Sequence, residues 1–125
     1  MRILIADDAP QLRLLLRHVL VGHESVEAGS RDEALAVVRA AAADVAILDV
    51  NMPGRTGLEV CRAIRLDPHR AATYVIIITA SGDPDGERRA REAGADAFLT
   101  KPFSPRRLCE LVDALAVGAA PRPSA

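Results

Sequence analysis

Val45-Ala46-Ile47-Leu48-Asp49 is a short apolar run that ends in a carboxylate and precedes the turn-forming residues Met52-Pro53-Gly54. An apolar run of this length, bounded by Pro and Gly, predicts a buried strand. A buried strand that ends in an Asp places the carboxylate at the edge of a sheet, where open α/β sheets bind their ligands. Asp49 is therefore the first candidate for a functional centre.

On either side of this run, short apolar segments alternate with segments of helical periodicity. Strands are predicted near residues 3–6, 23–28, 45–49, 75–79 and 95–100, each followed by a helix. This alternation predicts an α/β fold with one parallel five-stranded sheet covered by helices on both faces. The first, third and fourth strands are the most apolar and should be central. This favours the doubly wound strand order 2-1-3-4-5 with right-handed crossovers.

Pro and Gly mark several helix boundaries. Pro10 suits the first turn of the first helix. The apolar stripe on that helix follows the i, i+3, i+4, i+7 pattern and consists of Leu12, Leu15, Leu16 and Val19. Asp83-Pro84 is predicted to open the fourth helix, with Gly94 just past its end. That helix has little apolar surface beyond Ala90 and Ala93, so we expect it to be loosely held.

The composition excludes some classes of partner. The chain of 125 residues is long enough for one domain with a core, and half of its residues are apolar. The formal net charge is −1 and aromatic residues make up 2% of the chain. Neither an electrostatic field nor stacking platforms favour nucleic acid, and nothing favours a membrane surface. We therefore expect no direct contact with nucleic acid or membranes.

The cysteine and histidine residues form no motif. Cys61 and Cys109 make no CxxC pair and no metal-ligand spacing, which predicts two reduced thiols. The histidines, His18, His23 and His69, are scattered and are predicted to lie on the surface.

The amino-terminal run does not have the pattern of a signal peptide. The apolar run at residues 1–6 is too short for a signal peptide, and no stretch reaches transmembrane length. These features predict a cytoplasmic protein. We expect the domain to span residues 1–117, followed by a disordered tail, 118–125, that is either a native terminus or the start of a truncated linker.

Polar residues collect at the predicted carboxyl edge of the sheet. Asp7 and Asp8 follow the first strand and Asp49 ends the third, on either side of the topological switch. Three converging carboxylates repel one another unless a hard cation such as Mg²⁺ lies among them. Thr79 and Lys101 end the fourth and fifth strands. A metal, a hydroxyl and an ammonium group around one Asp match the needs of phosphoryl transfer, with Asp49 as nucleophile.

With these residues in order, the sequence resembles the receiver domain of two-component response regulators, which has a chemotaxis-regulator-like fold. The resemblance covers residues 1 to about 117. The motifs that carry it are Asp7-Asp8, Asp49 with Met52-Pro53-Gly54 and Gly57, Thr79-Ala80 and Lys101-Pro102-Phe103.

The resemblance implies a role for each site residue. Asp49 would accept a phosphoryl group from a sensor histidine kinase or a histidine phosphotransfer protein. Asp8 would bind Mg²⁺ directly, with Asp7 helping through water and the backbone carbonyl of Asn51 as a further ligand. Lys101 would contact the phosphoryl group. The peptide bond between Lys101 and Pro102 is expected to be cis.

The resemblance also implies a signalling switch rather than an enzyme. Thr79 would move to hydrogen-bond the phosphoryl group, and Phe98, at the switch aromatic position, would turn inward. The phosphoacceptor would assist its own phosphorylation and dephosphorylation. An effector or output domain would then bind the face formed by the fourth helix, fifth strand and fifth helix. The chain itself would be a monomer or a phosphorylation-dependent homodimer.

Three other functions stay open at this point. An Asp-nucleophile phosphohydrolase usually has a second acid two residues after the nucleophile, where this chain has Asn51. A flavodoxin-like cofactor binder needs a small-residue phosphate loop after the first strand, where this chain has two acids. A receiver-shaped interaction module that is never phosphorylated would have no need of the complete Asp, Thr and Lys set.

Overall fold

The computed structural model describes residues 1–40, 43–50, 56–80 and 84–118. Strands and helices alternate along these residues. They are β1 (Arg2–Ala6), α1 (Pro10–Val19), β2 (Glu24–Ala28), α2 (Arg31–Ala40), β3 (Val45–Asp49), α3 (Thr56–Leu66), β4 (Tyr74–Ala80), α4 (Gly86–Glu92), β5 (Ala97–Lys101) and α5 (Pro105–Ala116).

The strands form one parallel sheet in the order β2-β1-β3-β4-β5. This confirms the predicted α/β doubly wound fold. Every residue of β3 is buried, whereas most residues of the edge strands β2 and β5 are partly exposed. The apolar content of each strand therefore predicted its place, because a central strand has helices over both faces.

The core lies on both faces of the sheet, because successive strand side chains point to opposite faces. One cluster, which includes Leu4, Ala46 and Ile77, packs beneath α2, α3 and α4. The other, which includes Ile5 and Ile47, packs beneath α1 and α5. These two layers hold the strand ends in register and so position the residues that follow them.

Several predicted boundaries differ from the structure. The helix α4 begins at Gly86 rather than at Pro84, because Asp85 has a non-helical backbone and its side chain makes no capping bond. Asp83 lies outside the described residues. The fifth strand begins at Ala97 and includes Lys101, since the amide of Ala95 still donates to Ala90 of the preceding turn.

Two predicted exposures were also wrong. Leu15 is 44% exposed, although it was placed on the inner face of α1, and Leu20 is fully buried instead. His23 was predicted to lie on the surface, but its side chain is only 10% exposed. It is held between the carboxylate of Asp113 on α5 and the amino group of Met1. Sequence periodicity does not report such contacts between distant elements.

Other predictions hold as stated. Pro10 lies in the first turn of α1, Gly94 follows α4 with φ of 100°, and the Lys101–Pro102 peptide is cis. Both cysteines are free thiols. In the described part of the chain, no helix has the length and apolarity to cross a membrane. The predicted tail falls almost wholly on residues 119–125, which lie outside the described residues.

Candidate functional site

Three carboxylates meet at the carboxyl ends of two adjacent strands. Asp7 and Asp8 follow β1, and Asp49 is the last residue of β3, which pairs with β1. One carboxylate oxygen from each residue lies within 4.8 Å of the other two. Asp7 and Asp49 are buried, whereas Asp8 is exposed to solvent. The structure thus brings together the acids that the strand ends predicted.

Lys101 and Thr79 complete the cluster from β5 and β4. The Nζ atom of Lys101 lies 2.9 Å from Oδ2 of Asp49 and 3.7 Å from Oδ2 of Asp7. Thr79 is buried on β4, one residue beyond Ile78, the register partner of Asp49. Its own register partner is Thr100, next to Lys101. The hydroxyl-bearing residue therefore belongs to the strand that separates the acid from the amine.

Burial and the neighbouring charges shift two pKa values in this cluster. Burial raises the pKa of Asp7 to about 6; the Ala9 amide opposes the rise, Asp49 adds to it, and Lys101 also opposes it. Burial by itself would lower the pKa of Lys101. Its hydrogen bond to Asp49 and the negative charges of Asp49, Asp7 and Asp8 outweigh burial and raise that pKa instead. One amine faces three carboxyl groups.

The donor set fits a hard divalent cation. Oxygen ligands from two or three carboxylates are what Mg²⁺ takes from a protein, with water completing its shell. A cation would also offset the repulsion that raises the pKa of Asp7. Asp7, Asp8 and Asp49 are the residues that could hold it. Asn51, the other predicted ligand, lies outside the described residues.

The backbone around Asp49 depends on a close helix contact. A Cβ atom on Gly57, in the first turn of α3, would lie 2.5 Å from the carbonyl oxygen of Asp49. Only glycine allows α3 to approach the end of β3 so closely. The amide of Val50 donates to the carbonyl of Ile78, which extends the sheet pairing past Asp49. Gly57 was part of the sequence motif, but the sequence did not show that this position needs glycine because it lies against the Asp49 carbonyl.

Phe98 lies away from the acids, on the side of β5 that faces α4. It is half-buried and packs against the core cluster beneath α2, α3 and α4. It also borders a cavity of about 370 Å³ with Arg91, Asp96 and neighbouring alanines. The aromatic ring therefore has space beside it, on the surface that the resemblance associates with signalling.

An apolar groove lies beside Lys101, the residue whose amine donates to Asp49. It has a volume of about 460 Å³ and lies between α1 and the segment from β5 to α5. Leu12 and Leu15 line one wall, and Pro102 and Phe103 line the other, with Lys101 at its edge. The exposure of Leu15 is explained by this groove, which the helical pattern did not predict.

Comparison with known proteins agrees with this geometry. Residues 3–113 match the response regulator receiver domain family. The transcriptional regulatory protein ResD of Bacillus subtilis is 41% identical over 116 residues, which cover 91% of this chain and 47% of ResD. The phosphate regulon regulatory protein PhoB of Pseudomonas aeruginosa is 37% identical over 85% of this chain and 47% of PhoB. This chain thus spans about half the length of these relatives.

Solved structures show the same fold. The chemotaxis response regulator CheY4 of Vibrio cholerae superposes with a TM-score of 0.82 at 33% identity, over 91% of this chain and 97% of CheY4. The strand order and the acid cluster both agree with this family. The chain belongs to the response regulator receiver domains, the phosphoryl-accepting modules of two-component signal transduction.

Proposed function

We propose that Asp49 is the phosphoacceptor and that its phosphorylation requires Mg²⁺ held by Asp7, Asp8 and Asp49, with the Asn51 carbonyl as a further ligand. The observation that carries this proposal is the approach of three carboxylates and one lysine amine at the edge of the sheet. Asp49 is buried at its centre and is the acid bonded most closely to Lys101.

In the proposed reaction, a carboxylate oxygen of Asp49 attacks phosphorus on a donor phosphohistidine. The bond from phosphorus to the imidazole nitrogen breaks, its electron pair stays on that nitrogen, and the nitrogen takes up a proton. Bound Mg²⁺ would neutralise charge on the carboxylates and the phosphoryl oxygens. Lys101, which donates to Asp49 in the unphosphorylated protein, would donate to a phosphoryl oxygen in the product.

The signalling step of the proposal uses Thr79 and Phe98. A phosphoryl group on Asp49 would offer a hydrogen-bond acceptor to the Thr79 hydroxyl, on the neighbouring strand. Movement of Thr79 would let the Phe98 ring change position, with the cavity beside that ring giving it space to move. This change would shift the equilibrium of the α4-β5-α5 surface between two states. The buried part of α4 is small, Gly86 and Ala90, so moving this helix costs little apolar contact.

The proposed partners are a sensor histidine kinase or phosphotransfer protein and an effector or output domain. The groove beside Lys101 gives a phosphodonor apolar surface next to Asp49. The effector would bind the α4-β5-α5 surface. This chain would present that surface either as a monomer or after phosphorylation-dependent dimerisation. We place the boundary of the receiver domain near residue 117, close to the end of α5.

We further propose that the chain is a cytoplasmic phosphoacceptor rather than an enzyme that turns over a separate substrate. Both cysteines are free thiols, as is usual in a reducing compartment. Burial raises the pKa of Cys61 to about 11, which keeps this thiol protonated and unreactive at neutral pH.

The test is intact-mass spectrometry after incubation with acetyl phosphate, with and without Mg²⁺. We expect one phosphoryl adduct that needs Mg²⁺, is labile to hydroxylamine and is absent from Asp49→Asn. Asp32→Asn is a matched control, because the Asp32 side chain is 86% exposed on α2. An adduct that persists in Asp49→Asn would contradict the assignment.

The main alternative is a receiver-shaped interaction module that is never phosphorylated. A protein that binds Mg²⁺ but takes no phosphoryl group from acetyl phosphate or from a histidine kinase would favour it. Release of phosphate from a phosphate ester by the purified chain would instead favour the phosphohydrolase.

A further inference from the structure

A side chain on α1 reaches back to the acid loop that follows β1. Nη1 of Arg13 donates to the backbone carbonyl of Asp7 at 2.6 Å. Nε of the same guanidinium donates to Oε1 of Glu27 on β2 at 3.1 Å. The Arg13 side chain is only 19% exposed. One partly buried cation thus joins α1, β2 and the loop that carries two of the three acids.

The carbonyl that Arg13 binds belongs to the peptide unit between Asp7 and Asp8. The Asp7 amide donates to the carbonyl of Ala28, and the Asp7 carboxylate accepts from the amide of Ala9. With the bond from Arg13, Asp7 is held at its amide, its side chain and its carbonyl. The orientation of the Asp7–Asp8 peptide sets the direction in which the Asp8 side chain leaves the backbone, because a peptide unit rotates as a plane.

We propose that Arg13 is a positioning residue for the cation site: it fixes the Asp7–Asp8 peptide so that Asp8 faces Asp7 and Asp49. This inference rests on the proposed Mg²⁺ site. Arg13 contacts neither the cation nor a phosphoryl group in this arrangement, and it acts through the peptide that carries Asp8. Groups that orient metal ligands typically change metal affinity about 10- to 100-fold when they are removed.

The sign of the effect separates positioning from simple electrostatics. Arg13 is positive, so removing its charge near a cation site should strengthen Mg²⁺ binding if charge were its only influence. If Arg13 positions Asp8, its removal should weaken Mg²⁺ binding instead. The two explanations therefore predict shifts in opposite directions.

Arg17 provides a matched control on the same helix. Its Nη1 lies 3.0 Å from Oε2 of Glu27, so it binds the other oxygen of the carboxylate that Arg13 binds. Its side chain is 54% exposed and lies one helical turn further from the acid loop. Arg17→Gln therefore removes the same charge and an ion pair with the same Glu, while the bond from Arg13 to the Asp7 carbonyl stays in place.

The experiment measures Mg²⁺ affinity by isothermal titration calorimetry for the wild type, Arg13→Gln, Arg13→Lys and Arg17→Gln, with thermal unfolding in EDTA as the folding control. We expect Arg13→Gln to weaken Mg²⁺ binding about 10-fold. Arg13→Lys, which keeps the charge and one donor, should recover part of the loss. Arg17→Gln should leave the affinity unchanged or slightly higher. Equal or tighter binding by folded Arg13→Gln would overturn the proposal.

A second variant tests the same contact without deleting it. A Cβ atom on Gly29 would lie 3.1 Å from Nη1 of Arg13, so Gly29→Ala should shift the guanidinium by a few tenths of an ångström while keeping its charge. We expect weaker Mg²⁺ binding here too, and unchanged affinity would count against the proposal, including in the case that Arg13→Gln does not fold. Failure of the wild type to bind Mg²⁺ would instead refute the proposed cation site, and the role of Arg13 with it.

Discussion

At the amino end of β4 and β5, Arg65 and Asp96 form a partly buried ion pair in which the charges balance. Nη2 of Arg65 lies 2.6 Å from Oδ2 of Asp96, which also accepts from the amide of Val75 at 2.9 Å. The same guanidinium donates to the backbone carbonyls of Gly94, Thr73 and Ala71. At the carboxyl end, three carboxylates lie together, and one lysine amine pairs with two of them, Asp7 and Asp49.

The difference separates a structural cluster from a functional one. Charges that are buried only to hold a fold need partners for their hydrogen bonds, since a buried unpaired charge is costly. The Arg65–Asp96 pair meets that need and ties the end of α3 to the turns before β4 and β5. Among the residues that the structure describes, the charges of the acid cluster do not balance, and the excess negative charge is what a cation or a new ligand can use.

The largest test of this comparison is the removal of Arg65. Arg65→Met should lower the free energy of unfolding by about 3 kcal/mol, the low end for buried ion pairs, because the partly buried Asp96 carboxylate loses its Arg65 partner. Arg88→Met is the control, since Arg88 pairs with Asp85 and Glu92 on the exposed surface of α4 and its removal should leave the stability nearly unchanged. Urea unfolding measures the free energy of unfolding of both variants. Similar decreases in the two variants would mean that the Arg65–Asp96 pair contributes no more to stability than an exposed ion pair.

The next test is the pH dependence of Asp7→Asn in metal-free protein. The pKa of Asp7 is about 6 in the folded protein, above its ordinary value of 3.8, so ionised Asp7 destabilises the fold. Asp7→Asn should therefore be more stable than the wild type at pH 8, by up to about 3 kcal/mol. The gap should shrink as pH falls through 6 and vanish near pH 4.

Unfolding curves in EDTA across this pH range measure the gap. Asp32→Asn, at an acid that is 86% exposed and so remains hydrated, should show no comparable trend. A variant at Asp7 that is less stable than the wild type at pH 8 would mean that the acid cluster is balanced after all.

The smallest effect sharpens the comparison by adding the cation. Mg²⁺ at about ten times its Kd should stabilise the wild type by about 1.4 kcal/mol, because it binds the folded state alone. Asp8→Asn should lose this increment, whereas Arg88→Met should keep it. Thermal unfolding with and without Mg²⁺ measures the increment, and an equal gain in Asp8→Asn would place the cation elsewhere.

Much of the fold and the site could be predicted because both depend on where strands end. Residues at the carboxyl ends of parallel strands share one edge, so Asp7, Asp8 and Asp49 were expected to meet. Lys101 and Thr79 follow by the same reasoning from the ends of β5 and β4. Phe98 was identified only by resemblance, and its switching role stays a prediction.

The residues that sequence reasoning missed act through contacts between distant elements. Arg13 binds the backbone carbonyl of Asp7, six residues back, and the side chain of Glu27 on β2, and no sequence pattern predicts either contact. Arg65 is one of two arginines in α3, and the helical periodicity does not indicate which of them forms an ion pair with Asp96. His23 is buried by the approach of α5 and the amino terminus, which no local pattern reports.

By itself, the sequence determined the alternation of strands and helices, the central place of the apolar strands and the edge at which the acids collect. These follow from periodicity and burial, which are properties of short segments and of each strand as a whole. The tertiary structure alone decided which cation faces which carboxylate, which leucine lines the groove, and why α3 needs a glycine beside Asp49. Such choices depend on distances between atoms far apart in the chain, and those distances exist only after the layers pack.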